Sequence, residues 1–127
     1  RYAERVIALE HETRYARETA EMLWKATQNG SRNWIVAQAS IREFDAGPWY
    51  NYEFRNTFDF VLIDGPPQKI GRQAGLPLIW PHLAQDFEIW LDDWDRPHEK
   101  QCVKEWQAKY PIQIEELSPT LLKITRA

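Results

Sequence analysis

One cysteine in 127 residues leaves Cys102 without an intramolecular partner. No disulfide within the chain can staple the fold, and a reducing, cytoplasmic setting is expected. Long apolar runs are missing too. None approaches the roughly 20 residues of a bilayer-spanning helix, and the charged start Arg1-Tyr2-Ala3-Glu4-Arg5 has no signal-peptide apolar core behind it. A soluble protein with no membrane partner is the expectation. Positive charge is not in surplus either. Sixteen Lys and Arg stand against 19 Asp and Glu, scattered along the chain, for a net charge of -3. A phosphate backbone calls for a basic stripe, so no nucleic-acid partner is expected.

What the chain does contain is an ordinary globular balance, 43% hydrophobic and 28% charged, which is enough to fold. Its length supports one core without disulfides or structural metal, hence a single domain over residues 1–127. Seven tryptophans bring large burial area with a polar handle each, suited to a core or to the wall of a cleft.

Arg5-Val6-Ile7-Ala8-Leu9 reads as a strand buried on both faces and ending at Glu10-His11-Glu12. From Thr13 the apolar spacing becomes helical, with Ala16, Ala20, Leu23 and Thr27 in one stripe, Tyr15, Thr19, Met22 and Ala26 beside it, and Gly30 as the stop. Trp34-Ile35-Val36-Ala37 is a second strand. The turn-rich stretch from Ser40 to Thr57 predicts a long loop with room for an edge element. Phe58-Asp59-Phe60-Val61-Leu62-Ile63 is the strongest strand signal, broken by Asp64-Gly65-Pro66-Pro67. Leu76 to Leu83 predicts a short, proline-interrupted helix, and Phe87-Glu88-Ile89-Trp90-Leu91 a strand closed by Asp92-Asp93. A helix opened by Asp95 or Arg96 ahead of Pro97 carries Cys102, Val103, Trp106 and Tyr110 on one face and stops at Pro111. Ile112 to Leu117 and Leu121 to Thr125, joined at Ser118-Pro119-Thr120, form a terminal hairpin. Strands alternating with helices predict an α/β fold with a mostly parallel sheet.

In open parallel sheets, ligands bind beyond the carboxyl ends of the strands. Three strands end there in acids: Glu10, Asp64 and the pair Asp92-Asp93. The competing reading is that each acid caps or electrostatically favours the helix after it.

With Val6-Ile7-Ala8-Leu9-Glu10-His11-Glu12, Phe58 to Pro67 and Leu91-Asp92-Asp93 in view, the chain resembles the class I S-adenosylmethionine-dependent methyltransferases, from that family's second strand to its terminal antiparallel hairpin. The resemblance implies a Rossmann-like three-layer sandwich and S-adenosylmethionine as cofactor. Glu10 would hold the ribose hydroxyls, Gln38, Ala39 and Ser40 would frame the adenine, and Asp64 would face the methionine end and the acceptor. The spacing of Asp64 to Asp92-Asp93 is similar to metal-dependent O-methyltransferases, which implies Mg2+ on those three acids and a small-molecule acceptor that offers oxygen rather than nitrogen. The alternative at Asp92-Asp93 is that they orient Arg96 and cap its helix. His98 is the general base to consider if no metal takes part, against a solvated first-turn histidine. Lys69, Arg72 and Arg96 read either as grips on an anionic acceptor or as solvated surface cations. Trp49, Tyr50 and Trp94 read as a pocket wall or as loop packing. His11 and His82 are rim and surface residues.

The family's first strand and its glycine-rich turn have no counterpart, since none of Gly30, Gly47, Gly65, Gly71 and Gly75 precedes Glu10. Two expectations follow: a methyltransferase fragment inactive alone, or a non-catalytic interaction module on a degenerate methyltransferase sheet, paired through a sheet edge as a homo-oligomer. A dinucleotide-type enzyme, which also places an acid after its second strand, would leave Asp64-Gly65-Pro66-Pro67 and the terminal hairpin without a role.

Overall fold

The computed structural model describes residues 6–26 and 34–127. Arg5, Thr27 and Gly30, assigned above to a strand start, a helix stripe and a helix stop, lie outside them. The fold is α/β. In order it runs β1 (Val6–Glu10), α1 (Thr13–Ala26), β2 (Trp34–Gln38), β3 (Ile41–Phe44), β4 (Gly47–Tyr50), β5 (Phe58–Ile63), α2 (Gly75–Ile79), a 3-10 turn (Trp80–His82), β6 (Leu83–Asp92), α3 (Pro97–Lys109), β7 (Ile112–Ser118) and β8 (Leu121–Arg126). Contacts gather in two compact units. One runs to Arg42 and takes in Tyr50–Tyr52; the other comprises Glu43–Trp49 and Glu53–Ala127.

In the first unit β1 and β2 pair in parallel, from Val6 opposite Trp34 to Glu10 opposite Gln38. Parallel strands need a crossover, and α1 supplies it. The expected stripe is visible where Ala16, Thr19 and Ala20 are half-buried, whereas Tyr15 and Met22, placed beside it by sequence, are exposed. Arg14 Nε and Glu18 Oε1 lie 3.3 Å apart on the exposed side, an i, i+4 pair of the helix-supporting kind.

The stretch read as a long loop folds back on itself. β3 and β4 pair across the two-residue turn Asp45-Ala46. Four-residue strands are too short to show alternation, and Gly47-Pro48 resembles a turn when it in fact opens a strand of a two-stranded ribbon, where proline forfeits little. Gly47 adopts φ 128°, open to glycine and rarely to other residues. Trp49 is buried, and a Cβ on Gly75 would come within 3.0 Å of its ring.

The second unit is built on a four-stranded sheet in the order β5-β6-β8-β7. β5 pairs with β6 in parallel, while β6 with β8 and β7 with β8 are antiparallel. This sheet is therefore mixed, not mostly parallel, because the terminal hairpin supplies two of its four strands. Ser118 Oγ closes that hairpin by accepting the N–H groups of Leu121 at 3.1 Å and Thr120 at 3.3 Å. β6 begins at Leu83 instead of Phe87. The helical stretch stops with the 3-10 turn at His82, and the exposed Gln85 and Asp86 hide the strand from an apolar-run criterion.

One face of this sheet is the core. Phe87, Ile89 and Leu91 alternate along β6, Leu122 and Ile124 along β8, and Ile63 ends β5, all buried. Burying each such side chain contributes about 1.5–3 kcal/mol relative to exposure. Cys102, Val103 and Trp106 of α3 are buried as well, as their spacing predicts. Trp106 Nε1 donates to the Gln73 carbonyl at 3.0 Å. Trp80 links Phe87 and Tyr110, with ring centroids 5.7 and 4.8 Å away, so the end of α3 is tied to the buried face. The opposite face carries Phe60 and Leu62, both exposed on the edge strand β5. Among the described residues no helix is long and apolar enough to cross a membrane.

Burial, then the nearby charges of Glu105 and Glu99, pushes the Cys102 thiol up to about 11. The thiolate is the reactive form. Iodoacetamide at pH 8 should therefore leave Cys102 unlabelled in the native protein and modify it in denaturant, followed by intact mass; labelling at the same rate in both would contradict a buried thiol.

Candidate metal centre at two parallel strand ends

Parallel pairing brings the carboxyl ends of β5 and β6 to the same side of the sheet. Ile63 stands opposite Leu91 in the ladder, so the next residues along, Asp64 and Asp92, emerge beside each other although 28 positions separate them in sequence. Asp93 follows at φ 55°, a left-handed conformation that aspartate tolerates better than most residues. Its N–H donates to Asp92 Oδ1 at 2.9 Å, fixing the direction of that carboxylate. One oxygen from each of Asp64, Asp92 and Asp93 falls within 4.8 Å of the others. Asp92 and Asp93 are half-buried and Asp64 is exposed.

The crowding has an electrostatic signature. The Asp64 pKa is raised above the ordinary carboxylate value, first because packing strips water from its carboxyl end and then through the hydrogen bond with Asp92 and that residue's charge. Asp93 adds to the rise, while the Arg72 cation opposes it. Carboxylates this close resist ionising together unless a proton or a cation sits among them. An all-carboxylate oxygen set suits a hard divalent ion such as Mg2+, so the residues present fit the metal implied by the sequence resemblance.

Of the surrounding cations, Arg72 is not where the sequence reading put it. Arg72 is neither a surface residue nor an acceptor grip, being 3% exposed. Its Nε donates to the Pro66 carbonyl at 3.1 Å and its Nη1 to the Asp92 carbonyl at 2.8 Å. Arg96 reaches Asp93 Oδ2 at 3.0 Å and lies 3.9 Å from Glu99 Oε1. Arg96 is itself the N-cap of α3, and among the described residues no side chain caps that helix. Of the structural alternative for Asp92 and Asp93, the orientation of Arg96 by Asp93 is present and the capping is not. Glu99 is fully buried with neither oxygen hydrogen-bonded among the described residues. Sequence reasoning passed over it, because a glutamate in a first helical turn normally faces water and the helix dipole. Lys69 is exposed.

His98 Nε2 lies 3.6 Å from Cys102 Sγ, one turn along α3, and a Cβ on Gly71 would approach that nitrogen within 2.9 Å. Trp49 and Tyr50 are buried, which fits the packing reading. Trp94 is half-buried, with the Lys100 ammonium 5.7 Å from its ring centroid. His82 meets the Phe54 ring at 5.5 Å, and His11 lies 3.4 Å from Glu12.

In the first unit Glu10 and Gln38 close β1 and β2 in register, which sets Ala39 and Ser40 at the same sheet end as Glu10. Ala39 is buried and Ser40 exposed, with the Ser40 carbonyl accepting the Asn51 N–H at 2.8 Å.

The chain matches no family model and no curated protein.

Proposed function

We propose that this chain carries the cofactor- and cation-binding strand ends of an S-adenosylmethionine-dependent O-methyltransferase with Rossmann-like layering. The observation that supports this most is the gathering of Asp64, Asp92 and Asp93 at the ends of two adjacent parallel strands, where open α/β sheets bind their ligands. These three side chains would hold Mg2+, whose chemistry there is to lower the pKa of an acceptor hydroxyl so that its oxygen can attack the sulfonium methyl. Asp93 is steadied by Arg96, and Asp92 by the N–H of Asp93, so two of the three ligands are pre-oriented. Glu10 would accept hydrogen bonds from the ribose diol, and Ala39 and Ser40 would flank the adenine, since all three share one end of the β1–β2 pair. The acceptor on this reading is a small molecule bearing a hydroxyl. Exposed Phe60 and Leu62 on an edge strand favour the second reading, a non-catalytic interaction module that associates through that edge.

Calorimetric titration with S-adenosylhomocysteine separates the two, run on this chain and on the full protein encoded by its gene. Binding in the full protein, and methyl transfer lost on adding chelator, is the expected result. No binding in either overturns the enzyme reading and leaves the module; transfer indifferent to chelation removes the cation from it.

A further inference from the structure

We infer that Arg72 is a positioning residue that sets the cation affinity of the Asp64, Asp92 and Asp93 cluster without touching the ion; this rests on the cation reading of that cluster. Two backbone segments carry the three acids. One leaves β5 through Asp64 to Pro66, and the other ends β6 at Asp92. The paired register of the two strands ends at Ile63 and Leu91. Arg72 adds a further tie past that point. Its guanidinium bridges the Pro66 and Asp92 carbonyls from a buried position, with donors on different nitrogens pointing to different segments.

The choice of partners is informative. A buried guanidinium ordinarily takes a carboxylate in a two-pronged pair, whereas here both bonds go to carbonyls, so the carboxylates of Asp64 and Asp92 are left to face each other. The positive charge still acts on Asp64 across the intervening space. Such an arrangement brings three carboxylates into reach of one another without the guanidinium itself taking up any of their oxygens. Lysine could not reproduce it, because a single ammonium lacks the fork that spans two segments. Groups in this position around metal ligands typically govern affinity by about 10–100-fold.

The test is Mn2+ affinity, read by electron paramagnetic resonance, for the unmodified protein, Arg72→Lys, Arg72→Met, Asp64→Asn and Ile124→Ala, each checked for native circular dichroism. Ile124 is buried on β8, away from the strand ends, and serves as a destabilised control whose Mn2+ affinity should not change. Both Arg72 variants should bind Mn2+ at least about tenfold more weakly. If the unmodified protein binds and Asp64→Asn does not, but Arg72→Lys and Arg72→Met bind like the unmodified protein, the positioning role is wrong and the cation site stands. Failure of the unmodified protein to bind Mn2+ overturns both. If an Arg72 variant does not fold, the other decides; if neither does, or if Ile124→Ala weakens binding as much as they do, Arg72 is structural only and the inference fails.

Discussion

Asp64→Asn should weaken divalent-cation binding by more than about a hundredfold, since losing a ligand must exceed the loss of a group that merely orients one. The variant keeps the shape of the side chain and removes its charge. It should fold, because Asp64 lies at the surface and contributes no core packing. The stability of the unmodified protein has a pH dependence that the variant lacks. The folded pKa of Asp64 is raised above its unfolded value, by local desolvation first and by Asp92 next, so the native state holds that proton more tightly than the unfolded chain does. The stabilisation from this proton is complete below the ordinary carboxylate pKa and is lost as pH rises through the raised one. Asparagine has no proton to lose. The thermal midpoint of Asp64→Asn relative to the unmodified protein should therefore rise with pH across that window and level off above it. In the unmodified protein Mn2+ affinity should climb over the same window, because proton and cation compete for one carboxylate. A midpoint difference that does not change with pH, or falls as pH rises, would show that Asp64 is not crowded by Asp92 as described.

Trp106→Ala carries the largest expected loss of stability, about 3–5 kcal/mol for truncating a buried tryptophan. Trp106 is 2% exposed on the core side of α3, and its Nε1 holds the Gln73 carbonyl. Alanine would leave both a cavity and a carbonyl without its donor, and Gln73 sits next to Arg72. Urea denaturation should show the midpoint falling with little change in slope. Trp106→Phe keeps most of the ring volume and loses the indole N–H, so it should fall between the two. A loss below about 2 kcal/mol for the alanine variant would mean that α3 is not packed as described. Loss of Mn2+ affinity in the phenylalanine variant would connect this helix, through Gln73 and Arg72, to the strand ends.

Most of the elements were legible wherever periodicity was long enough. β5 announced itself as an apolar run closed by a prohibitive Asp-Gly-Pro-Pro, and α3 by Pro97, Pro111 and the spacing of Cys102, Val103 and Trp106. The β3–β4 hairpin was missed because four residues hold too little alternation. The direction of the sheet was misjudged because order along the chain does not state which neighbour a strand pairs with; β8 inserts between β6 and β7 and makes two antiparallel ladders. Residue type led Arg72 and Glu99 astray. Charged side chains are solvated on average, and only a specific set of partners or surroundings makes a buried one, which no local pattern encodes.

The candidate centre divides in the same way. That Asp64 and Asp92-Asp93 follow apolar strands is written in the order of the residues, and so is the oxygen-only donor set they would offer a hard cation. Their meeting is not. Asp64 and Asp92 come together because β5 and β6 lie parallel with Ile63 beside Leu91, and parallel register is settled by hydrogen bonds between segments far apart in the chain. Only the folded sheet decides it, and only the folded core brings the buried guanidinium of Arg72 between the two strand ends.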